Sequence, residues 1–109
     1  MVKEVYRVTN LGVFARDFAL KDQIRRAAIS VVSNIAEGFD RYRPREFHHF
    51  LSIAKGSCAE LRTQLYVAHD VELLASEVFE NLLRQALEVT QLIAGLRTSL
   101  ERRLNAEPP

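Results

Sequence analysis

Residues 76–104 carry apolar side chains at alternating spacings of three and four, and no proline interrupts the segment. Side chains at this spacing share one face of an α-helix, because the helix turns once in about 3.6 residues. A long helix with one apolar face must bury that face against other helices. The segment therefore predicts a helical bundle. Its apolar stripe comprises Phe79, Leu82, Ala86, Val89, Ile93, Leu96 and Leu100.

The rest of the chain is also typical of helix, since 109 residues include only four glycines and three prolines. Asn10 and Gly12 are expected to end a short first helix, Pro44 suits the first position of the third, and Ser76 can cap the fourth. We expect one domain, residues 1–109, folded as an all-α, antiparallel up-and-down four-helix bundle with a shortened first helix. The predicted helices cover residues 2–9, 20–41, 44–69 and 76–104.

The second and third predicted helices each carry an apolar and a polar stripe. If the polar stripes face each other, Arg26 or Arg41 can neutralise Glu60 or Glu46. Such a network adds little net stability but penalises other packing registers. The apolar stripe of the second helix is Leu20, Ile24, Ala28, Val31, Ile35 and Phe39. The predicted inter-helix polar seam comprises Gln23, Arg26, Ser30, Asn34, Glu37, Glu46, Ser57 and Glu60.

Two glycines fall inside these helices, where each costs about 1 kcal/mol relative to alanine. Gly38 and Gly56 are therefore expected to allow close backbone approach, although Gly38 can also mark a frayed helix end.

The composition excludes several classes of protein. Apolar residues make up 48% and charged residues 27%, which is typical of a globular chain. No apolar run is long enough for a membrane span, and residues 1–10 show no hydrophobic block before a small-residue cleavage site, so we expect no secretory signal. The single cysteine, Cys58, cannot form an internal disulfide and is expected to be a small core residue. These features predict a cytoplasmic protein.

The segments "QIRRAAISVVSNIAEGFDR" and "EFHHFLSIAKGSCAEL" resemble the paired signature of the four-helix-bundle family known from reading frames inside 23S rRNA intervening sequences. The resemblance implies a ring-like homopentamer. It also implies kinship with the accessory proteins of diversity-generating retroelements, which are more basic and bind nucleic acid and a reverse transcriptase. Against the family pattern the first helix is short, which leaves part of the core or a subunit contact less covered.

The segment "RYRPREFHH" is the best candidate for nucleic-acid contact, because clustered guanidinium groups bind phosphates and an exposed aromatic ring can stack on a base. The alternative is an ordinary solvated corner, in which the arginines balance the negative charges of Asp40 and Glu46. The net charge of +1 favours neither. The predicted nucleic-acid contacts are Arg41, Tyr42, Arg43, Arg45 and Lys55.

Catalytic and metal-binding patterns are not visible. His48 and His49 point about 100° apart on a helix, and Cys58 and His69 lie about 16 Å apart along one, so neither pair can hold one ion. No nucleophile triad or phosphate-binding loop occurs, so no catalytic residue, cofactor, metal or small-molecule substrate is predicted.

We therefore expect a non-enzymatic, homo-oligomeric scaffold associated with RNA or a nucleoprotein. The alternative is a protein-interaction ring that binds no nucleic acid. Ile29, Ala36 and Leu92 lie outside the main apolar stripes and are plausible subunit contacts.

Overall fold

Four α-helices and one 3₁₀ helix make up the computed structural model, which describes residues 1–106. Residues 107–109 of the predicted domain lie outside this described part. The sequence-based helix bounds differ from the observed ones by at most two residues. The elements are α1 (Val2–Thr9), the 3₁₀ helix (Gly12–Arg16), α2 (Phe18–Asp40), α3 (Pro44–Asp70) and α4 (Ser76–Ala106).

Local chemistry explains where the helices begin. The side chain of Asp17 accepts a hydrogen bond from the Leu20 amide at 3.0 Å and so caps α2. Pro44 occupies the first turn of α3. The expectation that Ser76 caps α4 is wrong: Ser76 is already helical, the Ala75 carbonyl accepts the first helical bond, and the Ser76 hydroxyl lies 3.2 Å from His69 Nε2.

The fold is an all-α bundle in which α3 packs against both α2 and α4. Short connections at residues 41–43 and 71–75 make neighbouring long helices antiparallel. Within residues 1–106, the backbones of α2 and α4 do not approach each other closely, although side chains of both helices meet in the core. Helix α1 contacts both of them and fills the space between them at one end of the bundle.

Two apolar clusters form the core. The first lies under α1 and contains Phe14, Ile24, Leu61, Leu65 and Leu82 among its buried residues. The second lies further along the bundle and is built from Val31, Leu51, Ala54, Cys58, Ile93 and Leu100.

Phe39 departs from the predicted core. It was expected to continue the buried stripe of α2, but 74% of its surface is exposed, and Gly38 takes the buried position. The reason is steric, because α3 approaches α2 so closely here that only a glycine fits beneath it.

No helix among residues 1–106 is both long and apolar enough to cross a lipid bilayer.

Candidate nucleic-acid interface

The corner between α2 and α3 presents three arginines and an aromatic ring. Proline disfavours a helical conformation in the residue before it, and Arg43 accordingly has an extended backbone. The chain reverses through Tyr42, whose φ of 64° lies in the left-handed region. The Tyr42 side chain is 94% exposed and projects into solvent.

Arg41 is occupied by neighbouring side chains. Its Nε and a terminal nitrogen lie 3.0 and 2.7 Å from Glu37 Oε1, and its guanidinium carbon lies 5.4 Å from the centre of the Phe50 ring. The hydrogen bond to Glu37, followed by the charges of Glu37, Glu46 and Asp40, raises the pKa of Arg41. Arg41 is thus paired within its own corner.

Arg43 and Arg45 differ from Arg41 in that neither forms an ion pair within residues 1–106. Both side chains are exposed. They are therefore the members of the predicted cluster that are free to bind an external anion.

The carboxyl-terminal end of α4 lies beside this corner. Leu104 borders a shallow surface depression together with Arg43, Pro44, Arg45 and Glu46. The exposed Arg102 and Arg103 precede Leu104 on the same helix. Sequence reasoning missed these two arginines, because almost sixty residues separate them from the corner and only the antiparallel packing of α3 and α4 brings them close.

A basic row continues along α3 from this corner. Arg45, His48, Lys55 and Arg62 are spaced by three, seven and seven residues, which keeps them on one side of the helix over about 26 Å. His48 Nε2 lies 2.8 Å from Glu101 Oε1 of α4. The beginning of this row therefore borders the end of α4.

The pKa of Glu101 shows which basic side chains lie near it at this border. Its hydrogen bond to His48 is the main cause that lowers the pKa of Glu101, and the positive charges of Arg97 and Lys55 lower it further. Lys55, predicted as a contact, thus lies near other basic side chains and beside the carboxylate of Glu101. We call the basic side chains of this side of α3 and of the end of α4 the basic strip and define it as Arg43, Arg45, His48, Lys55, Arg62, Arg97, Arg102 and Arg103.

The polar seam between α2 and α3 is smaller than predicted. The hydroxyls of Ser30 and Ser57 lie 2.7 Å apart, which joins the two helices. Asn34 donates from Nδ2 to the carbonyl and hydroxyl of Ser30, at 2.8 and 3.1 Å, and so supports the seam from within α2.

The charged residues of the predicted seam do not pair across the two helices. Arg26 pairs with Asp22 at 2.8 Å and Arg41 pairs with Glu37, each one turn away in α2. The expected pairing of these arginines with Glu60 or Glu46 is therefore wrong, because a partner four residues away on the same exposed face is closer. Gln23 and Glu60 border a surface depression between α2 and α3, and Glu46 is half-buried at the corner.

The two glycines have different environments. A Cβ atom at Gly38 would lie 2.8 Å from Phe50 Cβ and 2.9 Å from Phe47 Cδ1, so this glycine permits close packing of α2 on α3. The same expectation for Gly56 is wrong, because a Cβ there would meet no atom within 4 Å. Gly56 lies on the exposed side of α3.

Among residues 1–106, no three His, Cys, Asp or Glu side chains are grouped closely enough to hold a metal ion. Cys58 is fully buried in the second cluster, and this burial raises the pKa of its thiol.

Comparison with known proteins agrees with the helical architecture. No curated protein matches the chain significantly. The model of one family, described as 23S rRNA-intervening sequence protein, matches residues 1–95. These residues include the two signature segments, the short α1 and most of α4. The chain therefore belongs to the 23S rRNA-intervening sequence protein family.

Proposed function

We propose that this protein is a non-enzymatic, homo-oligomeric scaffold of the cytoplasm that associates with RNA through the basic strip. The observation that carries the proposal is the packing of Leu104, which directly follows the exposed Arg102 and Arg103, beside Arg43 and Arg45 at one end of the bundle. The family description, which refers to an intervening sequence of 23S rRNA, supports RNA as the nucleic acid.

The chemistry of the strip favours contact with the phosphate backbone. Guanidinium and ammonium groups bind phosphates without reading the base sequence. Of the exposed aromatic side chains, Tyr42 is the one at the arginine corner, where its ring can stack on an unpaired base beside a phosphate contact. We therefore expect binding to structured RNA with an unpaired loop, with little dependence on sequence.

The placement of the polar residues supports binding rather than catalysis. Glu37 is paired with Arg41, Lys55 lies beside Glu101 of α4, and Glu60 borders the depression on the α2 side of α3. These three side chains do not converge on one reacting position, as acid-base catalysis requires.

Exposed apolar residues support self-association. Ile29 of α2 and Leu92 of α4 remain exposed, and Ala36 lies in an apolar surface groove. Several copies in one particle would repeat the basic strip and strengthen its field for RNA.

Fluorescence anisotropy of a labelled ribosomal RNA hairpin, titrated at several salt concentrations, tests the RNA contact. A variant with Arg43, Arg45, Arg102 and Arg103 replaced by Gln removes four charges from the strip. We expect a loss of affinity of more than tenfold and a fall of about 3 in the slope of log K against log salt. Arg41→Gln should have a smaller effect, because Arg41 is already paired with Glu37.

The matched control replaces four exposed arginines outside the strip, Arg7, Arg16, Arg26 and Arg84, by Gln. It makes the same change in net charge and should retain affinity within about threefold. Equal losses of RNA affinity in both variants would show that RNA is attracted by the overall charge of the protein and not by the basic strip. Wild-type protein without salt-dependent binding would overturn the RNA proposal and favour the protein-interaction ring.

A further inference from the structure

An acidic side chain lies among the basic side chains of the strip. Glu101 Oε1 of α4 lies 2.8 Å from His48 Nε2 of α3, so the two side chains join the helices by a hydrogen bond. Leu51, three residues after His48, and Leu100, directly before Glu101, are both buried in the second core cluster. Because a packed core resists displacement, it holds the two helices at the separation that this hydrogen bond needs.

The carboxylate of Glu101 determines which ring nitrogen of His48 carries the proton. An ionised carboxylate only accepts hydrogen bonds, so the neutral imidazole donates from Nε2. The lone pair is then on Nδ1, and a second proton binds there. Ordinary glutamates titrate near about pH 4.3, and the pKa of Glu101 is lowered further. Glu101 therefore stays ionised throughout the range in which a histidine gains its second proton.

Proton uptake by His48 changes the charge of the strip. While the imidazole is neutral, the pair carries the single negative charge of Glu101, and the imidazolium cancels this charge. Histidine is the side chain whose ordinary titration falls between about pH 5 and 8. Every other member of the basic strip is a lysine or an arginine, which stays charged over this range. His48 is thus the member whose charge depends on pH.

Other charged side chains lie close to the pair on both helices. The positive charges of Lys55 and Arg97 act on Glu101, in addition to its hydrogen bond with His48. A phosphate of RNA binds to the same kinds of group, so Glu101 competes with it for them. Helix α2 meets a different side of α3, at Gly38. The charged and titratable side chains within two turns of the pair are Arg45, Glu46, His49 and Lys55 on α3, and Arg97, Arg102 and Arg103 on α4.

We propose that the contact between His48 and Glu101 makes RNA binding depend on pH, so that Glu101 weakens binding at neutral pH and protonation of His48 strengthens it. The inference rests on the RNA contact in the proposed function and assigns its regulation. Because linkage is reciprocal, bound RNA also favours the protonated form of His48 by the same factor.

Fluorescence anisotropy with the labelled ribosomal RNA hairpin, at pH 7.5 and at pH 5.5, tests the dependence. We expect the wild type to bind about three- to tenfold more tightly at pH 5.5, with a slope of log K against log salt that is steeper by up to about 0.9. His48→Gln should bind equally at both pH values. His48→Lys should also bind equally at both, but more tightly than His48→Gln, because its positive charge is permanent. Circular dichroism at each pH should show the same helical content in all variants.

His49→Gln is the matched control. The chain has three histidines, and the His49 ring packs edge-on against Phe50 rather than contacting Glu101. His69 lies 21 residues after His48 on α3, or about 32 Å along the helix. We therefore expect His49→Gln to keep the pH dependence of the wild type.

Two further measurements test Glu101 and the linkage. Glu101→Gln removes the competing carboxylate, so it should strengthen RNA binding at pH 7.5 by about three- to tenfold. NMR titration of the His48 ring, with and without the RNA hairpin, reports on proton uptake directly. We expect RNA to move the midpoint of this titration to higher pH, which a merely structural role of His48 would not do.

Three results would overturn this inference alone: equal RNA affinity of the wild type at both pH values, a pH dependence that persists in His48→Gln, or unchanged affinity of Glu101→Gln at pH 7.5. A wild type that binds no RNA at either pH would overturn both this inference and the RNA contact in the proposed function.

Discussion

A single methyl group at position 38 would collide with Phe47 and Phe50 of α3. Alanine gains about 1 kcal/mol over glycine inside a helix. Overpacking a tight contact costs about 1–3 kcal/mol, which exceeds this gain. We therefore expect Gly38→Ala to lower the free energy of unfolding by about 1 kcal/mol, measured by urea denaturation.

Gly56→Ala is the matched control, since Gly56 is helical and has open space around its Cα. It should raise the free energy of unfolding by about 0.5–1 kcal/mol. Equal stabilisation by both substitutions would contradict the close packing at Gly38.

Glu101 makes the stability of the α3–α4 contact dependent on pH. The bond to His48 lowers the pKa of Glu101 in the folded protein, so the ionised carboxylate stabilises the fold above its unfolded pKa. This contribution is lost as the pH falls through the lowered folded value. We expect His48→Ala to raise the pKa of Glu101 towards its usual range, measured by carboxyl NMR titration.

His49→Ala is the control for this titration, because the His49 ring packs edge-on against Phe50 rather than contacting Glu101. An identical Glu101 pKa in the two variants would show that His48 is not the main cause of the shift.

At the scale of elements, Arg25 fastens the short α1 to α2. Its guanidinium donates to Thr9 Oγ1 at 2.9 Å and to Asn10 Oδ1 at 2.7 Å, and it lies 4.2 Å from the centre of the Tyr6 ring. Arg25→Met keeps much of the apolar stem but removes these contacts. We expect a loss of about 1.5–3 kcal/mol and faster hydrogen exchange in residues 2–9 than in α3.

Arg26→Met tests whether any arginine on α2 has this effect. Arg26 pairs with Asp22 on the exposed surface, and such pairs contribute about 0–1 kcal/mol. Uniform acceleration of exchange across all helices in Arg25→Met would contradict a specific role in holding α1.

At the scale of the whole molecule, the bundle is a rod rather than a sphere. Its extents are 56 × 21 × 17 Å. Its radius of gyration of 15.8 Å exceeds the roughly 13 Å expected of a compact chain of this length. The basic strip lies along one long side of this rod, where α3 and the end of α4 meet.

Helical periodicity in the sequence was sufficient to predict the all-α bundle. The stripe of α4 shows this, because Phe79, Leu82 and Ile93 are buried as their spacing predicts. Apolar periodicity and the residues at helix ends are local properties, so they can be read without knowing which helices meet. The family resemblance rested on the same two helices, and the matching family model includes them.

The site could be predicted only in part. Arg43 and Arg45 lie two residues apart along the chain, so the sequence indicated a basic corner, but the end of α4 with Arg102 and Arg103 lies beside it only because α4 runs antiparallel to α3. Gly56 shows the same limit, since its sequence context suggests close packing and its environment is open.

The sequence by itself determined which segments are helical and which face of each is apolar, because these follow from spacing along one chain. Only the tertiary structure decided which faces meet. The orientation of α2 about its own axis places Gly38 in the close contact with α3 and leaves Phe39 exposed to solvent. The antiparallel packing of α4 on α3 placed Leu104 beside Arg43 and Arg45. Both outcomes depend on the relative placement of whole helices, which local periodicity does not specify.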